Sequence, residues 1–259
     1  MVTWSLFTIF MMLIACGQAF AAHPLITDDT GTQGTGKAQL EFVTEYGHDN
    51  NNGITTNSLT VPSMPVLSYG ITSTADLVLG ISYLRMETMQ GGVTTTESGI
   101  SDASVQLKWR FHERHGWSFA LKPGVTLPSG DEDKGLGIGK ASYSAFFIIT
   151  KDMTPWVFHV NIGYLRNEYR LTVDEDANRK DLWRVSLASQ MDIIKGLKAV
   201  ADIGTERNPD KTSNSDRAFL LGGVIYSITE QLDLDAGVKA GLNKPEIDIT
   251  YLAGITKRF

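Results

Sequence analysis

The sequence predicts an all-β fold: a transmembrane up-and-down antiparallel β-barrel of about twelve strands, preceded by a cleaved signal peptide. Three observations carry the prediction. Stretches of about ten residues alternate apolar and polar side chains, and in a strand such alternation puts one set on each face of the sheet. The links between these stretches alternate between long and short. Aromatic side chains gather at the ends of the stretches and not at their middles.

Bulk properties agree with that reading. A length of 259 residues suits a single barrel domain. At 42% hydrophobic and 20% charged, with a mean hydropathy of -0.08, the composition is that of an ordinary soluble protein. Past the N-terminus no apolar run approaches the ~18 residues that a membrane helix needs, and a barrel escapes that need because only alternate residues face lipid. The net charge of -6 argues against a nucleic-acid partner, which calls for a basic patch.

Residues 1–21 read as a secretory signal peptide. No charge occurs in residues 1–22, the apolar core runs from Trp4 to about Cys16, and Ala19-Phe20-Ala21 supplies an A-x-A cleavage site. An uncleaved anchor helix is the competing reading, and Leu13-Ile14-Ala15-Cys16 also resembles a lipobox that would lipidate Cys16. Cleavage after Ala21 removes the single cysteine, and disulfide chemistry with it. Residues 22–36 form an N-terminal segment, either a plug folded into the barrel or a periplasmic tail. Residues 37–259 form the barrel.

The strands follow in order. The first, residues 37–46, sets Ala38, Leu40, Phe42 and Tyr46 against Lys37, Gln39, Glu41 and Glu45. The second, about residues 58–71, carries Leu59, Val61, Leu67 and Tyr69 on one face; Pro62 and Pro65 cannot donate ladder hydrogen bonds, so a bulge is expected there. The third shows Leu77, Leu79, Ile81 and Tyr83. In the fourth, Ala103, Val105, Leu107, Trp109 and Phe111 oppose Asp102, Ser104, Gln106, Lys108 and Arg110. The fifth turns Trp117, Phe119, Leu121, Val125 and Leu127 outward and Ser118, Lys122 and Thr126 inward. The sixth, residues 142–150, is apolar on both faces near residues 146–149, which leaves its orientation open. The seventh alternates Trp156, Phe158, Val160, Ile162 and Tyr164 with Val157, His159, Asn161 and Gly163. The eighth sets Trp183, Val185, Leu187 and Met191 against Arg184, Ser186, Gln190 and Asp192. The ninth runs over about residues 197–205, the tenth over 218–226 and the eleventh over 232–242. The last, residues 246–259, places Ile247, Ile249, Tyr251, Ala253, Ile255 and Phe259 on one face.

Odd-to-even links are long and polar: residues 48–57, 87–99, 129–141, 167–180 and 206–217, with 243–245 as the short exception. Even-to-odd links, residues 72–74, 112–116, 151–155, 193–196 and 227–231, are short. With both termini in the periplasm, every long loop lies outside the cell, which is the bacterial outer-membrane pattern. Tyr69, Trp109, Phe111, Trp117, Trp156, Tyr226 and Phe259 sit beside the short turns; Tyr46, Tyr83, Tyr143, Tyr164 and Trp183 sit at the opposite ends. Two aromatic rings around an aliphatic band are interfacial girdles.

Several ordered motifs carry a family resemblance. They are Ala22-His-Pro-Leu-Ile-Thr-Asp-Asp29, Gly99-Ile-Ser-Asp-Ala-Ser-Val-Gln-Leu-Lys-Trp-Arg-Phe111, Leu127-Pro-Ser-Gly-Asp131, Gly135-Leu-Gly-Ile-Gly139 and His159-Val-Asn-Ile-Gly-Tyr164. In this order the chain resembles, over roughly residues 23–259, the outer-membrane transporters labelled MetA-pathway of phenol degradation. The resemblance implies a twelve-stranded outer-membrane barrel and passage of small molecules, aromatic or apolar ones among them. Lys257 departs from the usual C-terminal insertion signal, where an outward apolar residue is expected.

Chemistry other than transport finds little footing. The glycine-rich residues 130–139 lack the G-K-[ST] ending of a phosphate loop and no helix follows them. The acidic runs Asp131-Glu132-Asp133 and Asp174-Glu175-Asp176 offer oxygen ligands to Ca²⁺ or bridges to lipopolysaccharide, but plain solvated loops are the favoured reading. No serine is placed to complete a triad with His159 and Asn161, and His112 and His115 lack further metal ligands, so neither an enzyme nor a cofactor or metal site is expected. The lumen-facing candidates are Glu41, Asp102, Lys108, Arg110, Lys122, His159, Asn161, Arg184, Asp202, Asp235 and Lys239. Their mixed charges suit a narrow wet pore for small solutes, or a lumen closed by its own salt bridges in a structural or adhesive barrel. The expected partners are outer-membrane lipid and lipopolysaccharide, the barrel-assembly machinery through Phe259, and small-molecule solutes.

Overall fold

The structure is a computed structural model that describes residues 23–259 apart from Asn52. The signal-peptide reading falls on residues 1–22, outside the described residues. The strands are β1 (Ala38–Asn51), β2 (Ile54–Thr72), β3 (Ala75–Gln90), β4 (Val93–Ile100), β5 (Ala103–Arg114), β6 (Trp117–Leu127) and β7 (Ser142–Met153). They continue as β8 (Trp156–Arg166), β9 (Asp181–Ile194), β10 (Leu197–Glu206), β11 (Arg217–Thr229), β12 (Leu232–Gly241) and β13 (Ile249–Arg258). All pair antiparallel in one sheet, and β1 pairs with both β2 and β13 while β2 pairs with β3, so the sheet closes on itself. β5 pairs with the first half of β3 and β4 with the second, so together they fill one place in the wall and the barrel has twelve strands. Closure of the twelve-stranded wall removes the open sheet edge that hydrocarbon does not tolerate.

Alternation decides what each face meets. Leu107, Leu121, Ile162, Val185, Leu187, Ile203, Leu220 and Ile255 all stand exposed on the outside of the wall. Such a belt of large apolar side chains makes sense only where the solvent is lipid. Exposed aromatics bound it on both rims: Trp109, Trp117, Trp156 and Tyr226 below, Tyr46, Tyr143, Tyr164 and Trp183 above. On the lower rim Lys151 Nζ lies 4.9 Å from the Trp117 ring centroid and Lys257 Nζ 5.8 Å from that of Phe259. Both lysines lie over aromatic faces at headgroup depth, so the basic side chain at position 257 is accommodated there. The orientation of β7, open from sequence, is settled by its neighbours: Ser142, Ile148 and Thr150 turn inward and Ile148 is fully buried.

Three local features depart from the pattern or refine it. Residues 48–57 and 87–99 are not open loops, because β1 and β2, and β3 and β4, stay paired up to turns at Gly53 and at Gly91 and Gly92. These glycines adopt φ of 80°, 58° and 80°, a left-handed backbone that costs glycine little. Beyond the membrane both faces of a hairpin meet water, so apolar alternation vanishes while threonines such as Thr94, Thr95 and Thr96 keep strand propensity. Second, the irregularity expected at the prolines is present: β1–β2 pairing jumps from Glu41↔Val66 to Glu45↔Thr60, and β2–β3 pairing shifts on both sides of Met64. Third, the last strand starts at Ile249 and not at residue 246, because the chain before it bends inward and brings Glu246 to Lys239.

The outer loops are knitted together. A bridge joins Gly139 to Tyr169, and another joins Asn178, just past a short helix α1 (Thr172–Ala177), to Asp210. The Arg179 guanidinium donates to the carbonyl oxygens of Asn208, Lys211 and Ser213.

Candidate channel interior

The chain before β1 does not hang below the barrel. From Gly36, whose N–H donates to the Gly70 carbonyl at the lower rim, residues 36 to 23 run back inside the wall and cross the lumen. Gln33 N–H donates to both oxygens of Asp76 on β3, at 3.1 and 2.9 Å. Thr30 N–H donates to Thr150 Oγ1 on β7, and its hydroxyl meets that of Ser118 on β6 at 2.5 Å. Asn161 on β8 clamps the backbone of Asp28, its Oδ1 accepting from the N–H at 2.8 Å and its Nδ2 donating to the carbonyl at 2.7 Å. Asp202 on β10 accepts from the N–H groups of Ile26 and Thr27 and from the Thr27 hydroxyl, whose oxygen also lies 2.7 Å from Ser186 Oγ. His23 Nδ1 lies 2.5 Å from Asp235 Oδ1 on β12. A segment without secondary structure must give its backbone polar groups partners when buried, and here the wall supplies them one strand after another.

Apolar contacts complete the docking. Leu25 packs against Val200 and Ile225, and Leu25 and Ile26 pack against Phe219, Leu221 and Leu252. Gly223 and Gly237 make room at this point, since a Cβ on either would fall 2.7 or 2.9 Å from Pro24. These inward apolar residues were not among the candidates read from sequence. The available signal is that β11 reads apolar on both faces, as in Phe219, Leu220 and Leu221.

The centre of the interior is a charge cluster. Lys108 Nζ lies 2.8 Å from Asp28 Oδ1 and 3.5 Å from Asp29 Oδ1, and Lys122 Nζ lies 2.7 Å from Asp28 Oδ2. Asp28 is therefore the acid that both ammonium groups share, while Asp29 reaches Lys108 alone.

The remaining candidates fall in several places. Glu41 accepts from Gln39 and lines a cavity of about 270 Å³ together with Asp28, Lys108, Lys122 and Gln106. His159 is fully buried in the wall, its ring meeting Thr150 Oγ1 and Gln190 Nε2 and no serine. Arg184 pairs with Glu206, and Lys239 pairs with Glu246 at 2.7 Å; all four line a second cavity of about 220 Å³ near the outer mouth. Ile26 borders both cavities, so the segment lies between them. Arg110 sits at the lower rim, 3.2 Å from Glu113, with Nη2 donating to the Ser73 carbonyl. Asp102 stands in the break between β4 and β5, where its carboxylate accepts from the N–H groups of Gly130 and Ile138. These bonds fasten the loop 128–141. The acidic runs of the loops are engaged with their neighbours. Asp131 caps the turn Glu132–Lys134 and pairs with Lys134, Glu132 pairs with Arg170, and Glu175 pairs with Lys180.

A closed twelve-stranded wall, apolar outside and polar within, defines an outer-membrane β-barrel of porin-like architecture. Its fold is similar to that of the COG4313 outer membrane channel from Pseudomonas putida F1, at a TM-score of 0.69 and 12% identity over 89% of this chain and 98% of that one. It is also similar to the NanC porin (TM-score 0.53, 11% identity, 83% and 98% covered) and to the beta domain of the Bordetella autotransporter BrkA (0.51, 15%, 87% and 100%). No curated protein matches the sequence. The chain belongs to the family described as "Putative MetA-pathway of phenol degradation", whose model matches residues 27–259.

Proposed function

We propose that the protein is an outer-membrane channel for small solutes whose lumen is closed by its own residues 23–36 and conducts when that segment withdraws. The observation that carries this reading is the pairing of Asp28 with Lys108 and Lys122. Two wall lysines facing a narrow lumen find their counter-ion on a segment that belongs to no strand, with a cavity on each side. A twelve-stranded barrel lies between eight strands, just filled by side chains, and the 16–18 that leave an aqueous pore. One extra segment is then enough to close it. The route runs past Lys108, Lys122 and Glu41 toward Arg184 and Lys239 under the outer loops. A purely structural barrel is the second reading, favoured by the number of strands to which the segment is hydrogen-bonded.

Reversing Lys108 and Lys122 together (Lys108→Glu with Lys122→Glu) distinguishes the two in planar bilayers. Lumen charge sets the barrier for ions of each sign, and glutamates at both places also repel Asp28. The expected result is larger conductance with selectivity shifted toward cations. Unchanged selectivity would remove these lysines from the route.

A further inference from the structure

Asp28 sits where an anion would. Its carboxylate divides its two oxygens between a buried and a half-buried ammonium group, Oδ1 to Lys108 at 2.8 Å and Oδ2 to Lys122 at 2.7 Å. The adjoining cavity of about 270 Å³ has Val43, Val66 and Val78 as apolar wall and Ser68 and Gln106 as polar wall. Resting on the channel reading above, we propose that Lys108 and Lys122 recognise a small organic monocarboxylate with an apolar body, and that Asp28 is a tethered stand-in which this solute displaces.

The physical case lies in what withdrawal leaves behind. When Asp28 leaves, two ammonium groups lose their partner inside a closed wall, and an unpaired charge in such a place is costly. A neutral solute cannot cover them. A carboxylate restores both charge-assisted hydrogen bonds and puts a like charge back between the two lysines. The other carboxylates around the site limit the choice further. Asp29 departs with the segment, and Asp76 on β3 is released from Gln33 as it goes. Glu41 remains on the cavity wall, so a second carboxylate on the solute would meet a like charge. The cavity is below the ~300–1,000 Å³ of drug-sized pockets, which suits a single-ring or short-chain acid.

The test uses the whole mature protein at fixed ionic strength, with sodium benzoate as probe and benzamide as its neutral counterpart. Hydrogen–deuterium exchange of residues 23–36 should rise saturably with benzoate and not with benzamide. Flux into proteoliposomes should favour benzoate roughly tenfold, the discrimination that charge-assisted hydrogen bonding to one group supplies. In Lys122→Met the benzoate-dependent rise in exchange should vanish; in Asp28→Asn the segment should exchange fast without benzoate. Equal responses to benzoate and benzamide, or an unaltered benzoate response in Lys122→Met, would overturn the proposal. Exchange is read without any current, so these outcomes do not depend on conduction. A barrel that never conducts even without residues 24–33 would instead overturn the channel reading.

Discussion

Replacing Asp28 with alanine should open the channel almost as fully as deleting residues 24–33. Whenever the segment is docked, the substitution leaves Lys122 without its carboxylate and Lys108 with Asp29 alone, at 3.5 Å. Removing one partner of a buried pair costs about 3–5 kcal/mol. Each ~1.4 kcal/mol is tenfold in an equilibrium constant, so a mostly docked segment becomes a mostly withdrawn one. The barrel itself should stand, because its strands pair with one another and not through the segment. Single-channel recording checks this: frequent, larger openings are expected for both variants, and Asp28→Glu, which keeps the charge, should fall between them and the parent. Variants that fold but conduct no better than the parent would show that the segment does not limit passage.

Arginine on the outer face should damage the barrel itself. Leu107 stands exposed in the lipid belt of β5. Leu107→Arg puts a charge toward hydrocarbon at a cost of about 2–4 kcal/mol near the midplane. Its neighbour Gln106 lines the interior cavity, so Gln106→Arg should lower the unfolding midpoint in urea far less. The pair Val160 and Asn161 on β8 behaves differently. Val160→Arg should destabilise the wall, whereas Asn161→Arg should spare the wall and release the segment, since Asn161 holds the Asp28 backbone. Equal damage at Leu107 and Gln106 would mean that the register is wrong.

Much of the wall was legible in the sequence because lipid and lumen impose opposite demands on alternate residues. Parity alone turned Lys108, Asn161 and Asp202 inward and Leu107 and Ile162 outward. Pro62 and Pro65 announced the irregular stretch of β2. Parity is silent where both faces meet one solvent, which is why the β1–β2 and β3–β4 hairpins read as loops. It says nothing of loops: Asp102 continues the inward parity of β5, and its carboxylate serves the loop residues Gly130 and Ile138. The docking surface was hidden for another reason. Leu221, Leu252 and Val200 make sense as inward residues only once Leu25 and Ile26 cover them, and residues 23–36 have no periodicity to reveal that they enter the barrel. A hint lay in the inward carboxylates: Asp202 finds its donors on this segment, as do Asp76 and Asp235.

The most direct measurement pins the segment in place. Thr27 Oγ1 lies 2.7 Å from Ser186 Oγ, so cysteines at these two positions are within disulfide reach. The sequence otherwise has only Cys16, outside the described residues, and Cys16→Ser removes it from the experiment. In planar bilayers the Thr27→Cys, Ser186→Cys protein should be silent when oxidised, and a reductant should restore channel openings. Equal conductance before and after reduction, with the cross-link verified by mass, would contradict the claim that residues 23–36 must leave the lumen for solute to pass.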